Sequence, residues 1–146
     1  MTEMHQCPLC TNPLPGELLR TNQYAIVDAQ EPLFPGFTRV VWLEHVSEMT
    51  DLDDQQRQSL MQTVFAVETV MRETLAPQKI NLASLGNQVP HLHWHVIPRW
   101  HDDAAFPASV WGATTPTEAS QIRQVTTQGL LKDYHQALWQ HFNAKP

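Results

Sequence analysis

The sequence predicts an α+β protein: a roughly five-stranded, antiparallel sheet with one long helix among the strands and a helical C-terminus. Three observations carry this prediction. Short runs rich in β-branched and aromatic residues follow one another, with turn residues between them. A single stripe of helical period interrupts them. HLHWHVI at 91–97 alternates histidine with apolar residues, which is the period of a strand with two chemically different faces. Strand runs broken by one central helix are the pattern of α+β folds.

Taken in order, CPLC at 7–10 forms a short N-terminal knuckle, followed closely by Pro13, Pro15 and Gly16. Leu18–Arg20 and Tyr24–Asp28 read as two strands around a turn at 21–23. EPLFPG at 31–36 is a loop, and FTRVVWL at 37–43 a buried third strand. Thr50 opens the long helix, with Asp51, Asp53 and Asp54 suited to the positive end of its dipole. Leu60, Val64, Val67, Met71 and Leu75 step by 4, 3, 4 and 4 along one face, and Pro77 ends the helix. Lys79–Leu85 is the fourth strand and the histidine run the fifth, joined by GNQVP at 86–90 in antiparallel fashion. After an irregular stretch ending in FPASVWG at 106–112, Thr115-Pro116-Thr117-Glu118 reads as a capping box with proline in the first helical position. Tyr134, Leu138, Trp139 and Phe142 mark the apolar side of the helix that follows, and Gly129 is its point of weakness.

The 146 residues fit one domain. A hydrophobic content of 42% with 16% charged residues is that of a globular chain. No apolar run approaches a membrane span and no basic segment precedes an apolar one at the start, so cytoplasmic residence without membrane contact is expected. The net charge of −6 argues against nucleic acid as a partner. A small anion is still compatible, held by backbone amides and imidazoles in one cleft.

His91, His93 and His95 would share one strand face, with Leu92, Trp94 and Val96 on the other. Burying several imidazoles demands a partner for each ring nitrogen, so three on one face point to chemistry. Histidines at alternate strand positions can bind a metal. They can also divide a displacement at phosphorus, one acting as nucleophile and one as acid. Spacing alone leaves both open. CPLC likewise admits a turn of small apolar residues, a redox pair, or half of a metal site that needs two more ligands.

HLHWHVI resembles the alternating histidine signature of the histidine triad superfamily of nucleotide hydrolases and transferases. Asn81 in KINLASLG, Gly86 and Val89 before the histidines, Pro98-Arg99 after them and Glu44-His45 upstream resemble its flanking pattern. The likeness covers about residues 4–112, leaving 113–146 as a C-terminal helical extension. It resembles most the bacterial diadenosine tetraphosphate hydrolase-like members, several of which begin with CxxC.

The resemblance implies hydrolysis or transfer at a phosphoanhydride or related nucleotide ester, such as a dinucleoside polyphosphate. His93 would be the nucleophile, His95 the proton donor to the leaving group, and His91 a supporting member of the catalytic set. Asn81, Gly86, Gln88 and Val89 would bind substrate, and Trp111 would lie near the rim, unless it simply packs on the sheet. No catalytic cofactor is implied. A structural Zn²⁺ held by Cys7, Cys10, His45 and His91 is implied by related CxxC members, as is a homodimer, with Trp139 and Phe142 available for the contact. Gln88 stands where other members place a small hydroxyl residue, and Phe37 where some carry a further histidine. Two other readings stay open: a metal-dependent hydrolase that uses the histidine strand as ligands, and a nucleotide-binding or interaction module with little turnover. Trp42 and Trp94 read as core; His5, His101, His135 and His141 read as solvated.

Overall fold

Strands β1 (Glu17–Arg20), β2 (Tyr24–Asp28), β3 (Thr38–Trp42), β4 (Lys79–Ala83) and β5 (His93–Arg99) form one antiparallel sheet in the order β1-β2-β3-β5-β4. The computed structural model describes residues 6–143, so His5 lies outside the described part. Helix α1 (Asp54–Leu75) crosses over between β3 and β4, and α2 (Glu118–Gln128) and α3 (Leu131–Asn143) follow the sheet. The expected α+β architecture is present.

The helical stripe is buried as its period demands: Leu60, Val64, Val67, Met71 and Leu75 meet Ile26, Val40, Trp42 and Val96 from one sheet face. Tyr134 and Leu138 of α3 complete this core. The Tyr134 hydroxyl is satisfied there by Thr38 Oγ1 at 2.8 Å, as a buried phenol requires. Trp94 is half-buried against the core, and its indole N–H donates to Met49 Sδ at 3.4 Å.

Several boundaries differ from those expected. Helix α1 begins at Asp54, because Asp53 caps it: its carboxylate accepts from Gln56 N at 2.8 Å, and Gln56 Oε1 accepts in return from Asp53 N. Met49–Asp51 is a separate 3₁₀ turn. The C-terminal helix is capped by Thr117 with Ser120, not by Thr115 with Glu118, and Pro116 sits before the cap. Proline disfavours helical geometry in the residue before it, so Thr115 stays outside the helix. Gly129 does break the helix, into α2 and α3. β4 stops at Ala83 and β5 starts at His93, which leaves His91 outside the paired segment. His135 is half-buried, 3.8 Å from Asp28, rather than solvated.

Gly16 adopts φ +71°, and a Cβ there would collide with the backbone carbonyl of Asp28, whose N–H donates to Gly16 O at 2.8 Å. Gly16→Ala combines left-handed strain with a clash against main chain that cannot rotate away. A loss of about 2–4 kcal/mol in unfolding free energy is expected by denaturant titration; a loss below about 1 kcal/mol would show that the turn relaxes freely.

Candidate functional site

The sheet face opposite α1 carries the chemistry. His93 pairs with Val41 and His95 with Arg39 across β3 and β5, so these side chains share that face. A cleft of ≈ 460 Å³ opens above it. Of the residues expected there, Gly86, Gln88, Val89, His93, His95 and Trp111 line it. Asn81 does not; its Oδ1 accepts from Arg99 Nη1 at 2.9 Å, one step along the sheet.

His93 Nδ1 lies 2.6 Å from the carbonyl oxygen of His91. A carbonyl only accepts, so Nδ1 carries the proton and Nε2 keeps its lone pair. Burial pulls the His93 pKa below the ordinary imidazole range against the opposing pull of that carbonyl, and the nearby positive charge of Arg39 lowers it further. His95 is pushed down to about 3 by burial, then by His93 and Arg39. Its ring meets those of His93 and Trp111 edge-on, with centroids 4.8 and 4.9 Å apart, and that of Phe37 at 5.5 Å. Both imidazoles are therefore neutral at pH 7 in the unliganded protein, fit to act as nucleophile and hydrogen-bond donor.

The segment bearing Trp111 is pinned by Arg99, which pairs with Asp103 at 2.8 Å and donates to Ala108 O at 2.7 Å. Asp103 in turn accepts from the amides of Ala105 and Phe106. This buried pair holds the irregular 100–112 stretch against the sheet edge, which brings Trp111 onto His95.

His91 turns away from the cleft. Its ring Nε2 donates to Trp42 O at 2.6 Å, leaving Nδ1 unprotonated toward Cys7, Cys10 and His45. Cys10 Sγ is 3.2 Å from His45 Nδ1, and the two histidine nitrogens are 3.1 Å apart. All four ligand atoms lie within 4.8 Å of one another. At metal–ligand bonds of about 2.0–2.3 Å, corners of a tetrahedron lie roughly 3.3–3.8 Å apart, so the cluster can hold a metal ion with little adjustment. Burial and the neighbouring Cys7 push the Cys10 thiol up to about 11; a cation would reverse that cost by binding the thiolate. His93 and His95 are not in this set, so the three histidines do not converge on one ion.

Sequence reasoning passed over Asp28, Leu85 and Arg39, which also line the cleft. Arg39 had a signal: it is the one charged residue of the buried strand TRVVW.

The HIT-domain family model matches residues 17–102. The chain belongs to the HIT-domain family. Among curated proteins, this HIT chain is 32% identical over 96 residues to the AP-4-A phosphorylase of Mycobacterium tuberculosis, which is 62% of the chain and 49% of that protein. It thus spans about half the length of the curated relatives it matches. A histidine triad protein from Marinobacter aquaeolei VT8 superposes with TM-score 0.66 at 28% identity, over 84% of this chain and 89% of that one. One from Bradyrhizobium japonicum gives 0.63 at 28% identity, over 80% and 87%. A Zn-bound histidine triad family protein from Mycobacterium smegmatis shares the fold, with TM-score 0.65 at 17% identity over 97% and 99%. Among the described residues of this HIT protein no helix is long and apolar enough to cross a membrane.

Proposed function

We propose that this HIT protein cleaves a phosphoanhydride or related nucleotide ester through a nucleotide bound covalently to His93. The observation that carries the reading is the bond from His93 Nδ1 to the His91 carbonyl, which directs an unprotonated Nε2 to the cleft. In the first step Nε2 attacks the α-phosphorus and a P–N bond forms. The bond from phosphorus to the bridging oxygen breaks, and that oxygen takes a proton from His95. His95, neutral in the free protein, takes up a proton from solvent as the anionic phosphate enters and offsets the burial and positive charge that depress its pKa, and it donates that proton as imidazolium. Water then attacks the phosphorus and gives a proton to the now neutral His95, while the P–N bond to His93 Nε2 breaks and releases the nucleotide. Amides of the 86–89 turn suit the non-bridging oxygens. The AMP-containing substrate class fits the name of the Mycobacterium tuberculosis relative.

In the same reading Cys7, Cys10, His45 and His91 hold one structural Zn²⁺, the ion suited to two thiolates and two imidazoles. The metal ties the N-terminal knuckle to the start of β5 and leaves catalysis to His93 and His95. In this reading the C-terminal helical extension is part of the same domain, which the packing of α3 into the main core supports. Trp139, 54% exposed on α3, is available for the homodimer contact.

The protein, incubated with nucleoside phosphoramidates, thiophosphates and dinucleoside polyphosphates, quenched in alkaline denaturant and digested, should yield a nucleotidyl adduct on the peptide carrying His93. Turnover without any adduct on histidine would overturn the covalent route. His95→Ala should slow poor leaving groups most, since a stable leaving anion needs little proton donation. A loss of rate that is equal across the leaving-group series would remove His95 as the acid.

A further inference from the structure

We infer that Arg39 is a specificity-determining residue that grips the phosphate beyond the scissile bond, so that the cleft selects nucleotides with an anionic, polyphosphate leaving group. The inference rests on the nucleotide reading of the cleft and deepens it. Among the described lining residues Arg39 is the one lysine or arginine, and Asp28 contributes an opposing negative charge. Asp28 is engaged elsewhere, accepting from Gln30 N at 2.8 Å and facing His135. Among the described residues Arg39 makes no salt bridge. Its Nε is buried without a hydrogen-bond partner among the described residues. Leaving a guanidinium nitrogen so is costly unless a ligand completes it.

Position assigns the ligand. Arg39 stands directly across the strand pair from His95, and its guanidinium carbon lies 5.4 Å from the centroid of the Phe37 ring. Phe37 also abuts His95. This cation–π contact with Phe37 positions the guanidinium beside His95 and uses none of its N–H donors. In the proposed reaction His95 serves the bridging oxygen, so the group attached beyond that oxygen comes beside Arg39. A planar fork of N–H donors matches a phosphate there, whereas an amine or alcohol leaving group offers it nothing.

Binding of AMP and of α,β-methylene-ATP to the full-length protein, measured by calorimetry at fixed ionic strength, tests this without requiring turnover. The wild type should prefer the triphosphate analogue. Arg39→Gln should weaken the analogue by at least about tenfold and AMP by no more than about threefold. Arg39→Lys, which keeps the charge but not the fork, should fall between the two and covers the case in which the glutamine variant fails to fold. Equal losses on both ligands, or an undiminished affinity for the analogue, would overturn the assignment. Wild-type binding of both ligands without preference would do the same. Binding of neither would instead bring down the nucleotide reading itself.

Discussion

Replacing His93 with alanine is expected to leave a folded protein that binds nucleotide and turns over almost none of it. The substitution removes the atom proposed to bond to phosphorus and little else. The imidazole stands at the open end of β5 and borders the cleft, and the core between the sheet and α1 is untouched. A melting temperature within a few degrees of wild type is expected, with kcat lower by at least about a thousandfold on the best substrate. Affinity for AMP should change little, because the 86–89 turn and Trp111 remain in place. A variant that keeps more than about a tenth of the wild-type kcat would remove His93 from the chemistry.

Removing metal should act on stability first and on turnover only as a consequence. Purified protein is expected to contain about one Zn²⁺ per chain, four-coordinate and without bound water. Metal bound only by the folded state adds its binding energy to stability. A loss of about 5 kcal/mol on chelation would lower the melting temperature by roughly 10–20 °C in a chain of this size. Cys7→Ser should reproduce much of that shift, since Cys7 is buried and its Sγ lies 3.4 Å from His91 Nδ1. Neither Mg²⁺ nor Mn²⁺ should restore what is lost. A metal-free preparation of full activity and equal stability would refute the zinc site. Fast loss of turnover with an unchanged melting curve would place the metal in the reaction and refute the triad mechanism.

The parts of the molecule that were legible in the sequence depend on local period and chemistry. The α1 stripe from Leu60 to Leu75 and the alternation at 92–97 each specify a face without reference to the rest of the chain. Cap positions were less legible, because Thr115, Thr117 and Asp53 are all competent caps and the choice among them turns on Pro116 and on reciprocal bonds with Ser120 and Gln56. The sequence spacing of Cys7, Cys10, His45 and His91 says nothing of their meeting; resemblance suggested it, and tertiary structure brings the four together. Expecting His91 on the ladder beside His93 was an error of boundary. Pairing of β5 begins two residues later, and the ring of His91 follows Trp42 O and the cysteines. The placement of Asn81 was not legible either: its oxygen accepts from Arg99, and the residue does not line the cleft. Arg39 stood out by its charge in TRVVW, but only the register, which sets it opposite His95, tells what that charge faces.

The acceptor that sets the tautomer of His93 is a main-chain oxygen, and that has a genetic consequence. No codon change at position 91 deletes a carbonyl. In enzymes that orient a histidine with an aspartate, a single substitution strips away the orienting group. Here only a change in the path of the chain between Ser84 and His93 can do so, as an insertion, a deletion or a proline would. Orientation of the nucleophile is thus inherited with the shape of this turn, and a library of point variants scored one position at a time would leave it almost invisible.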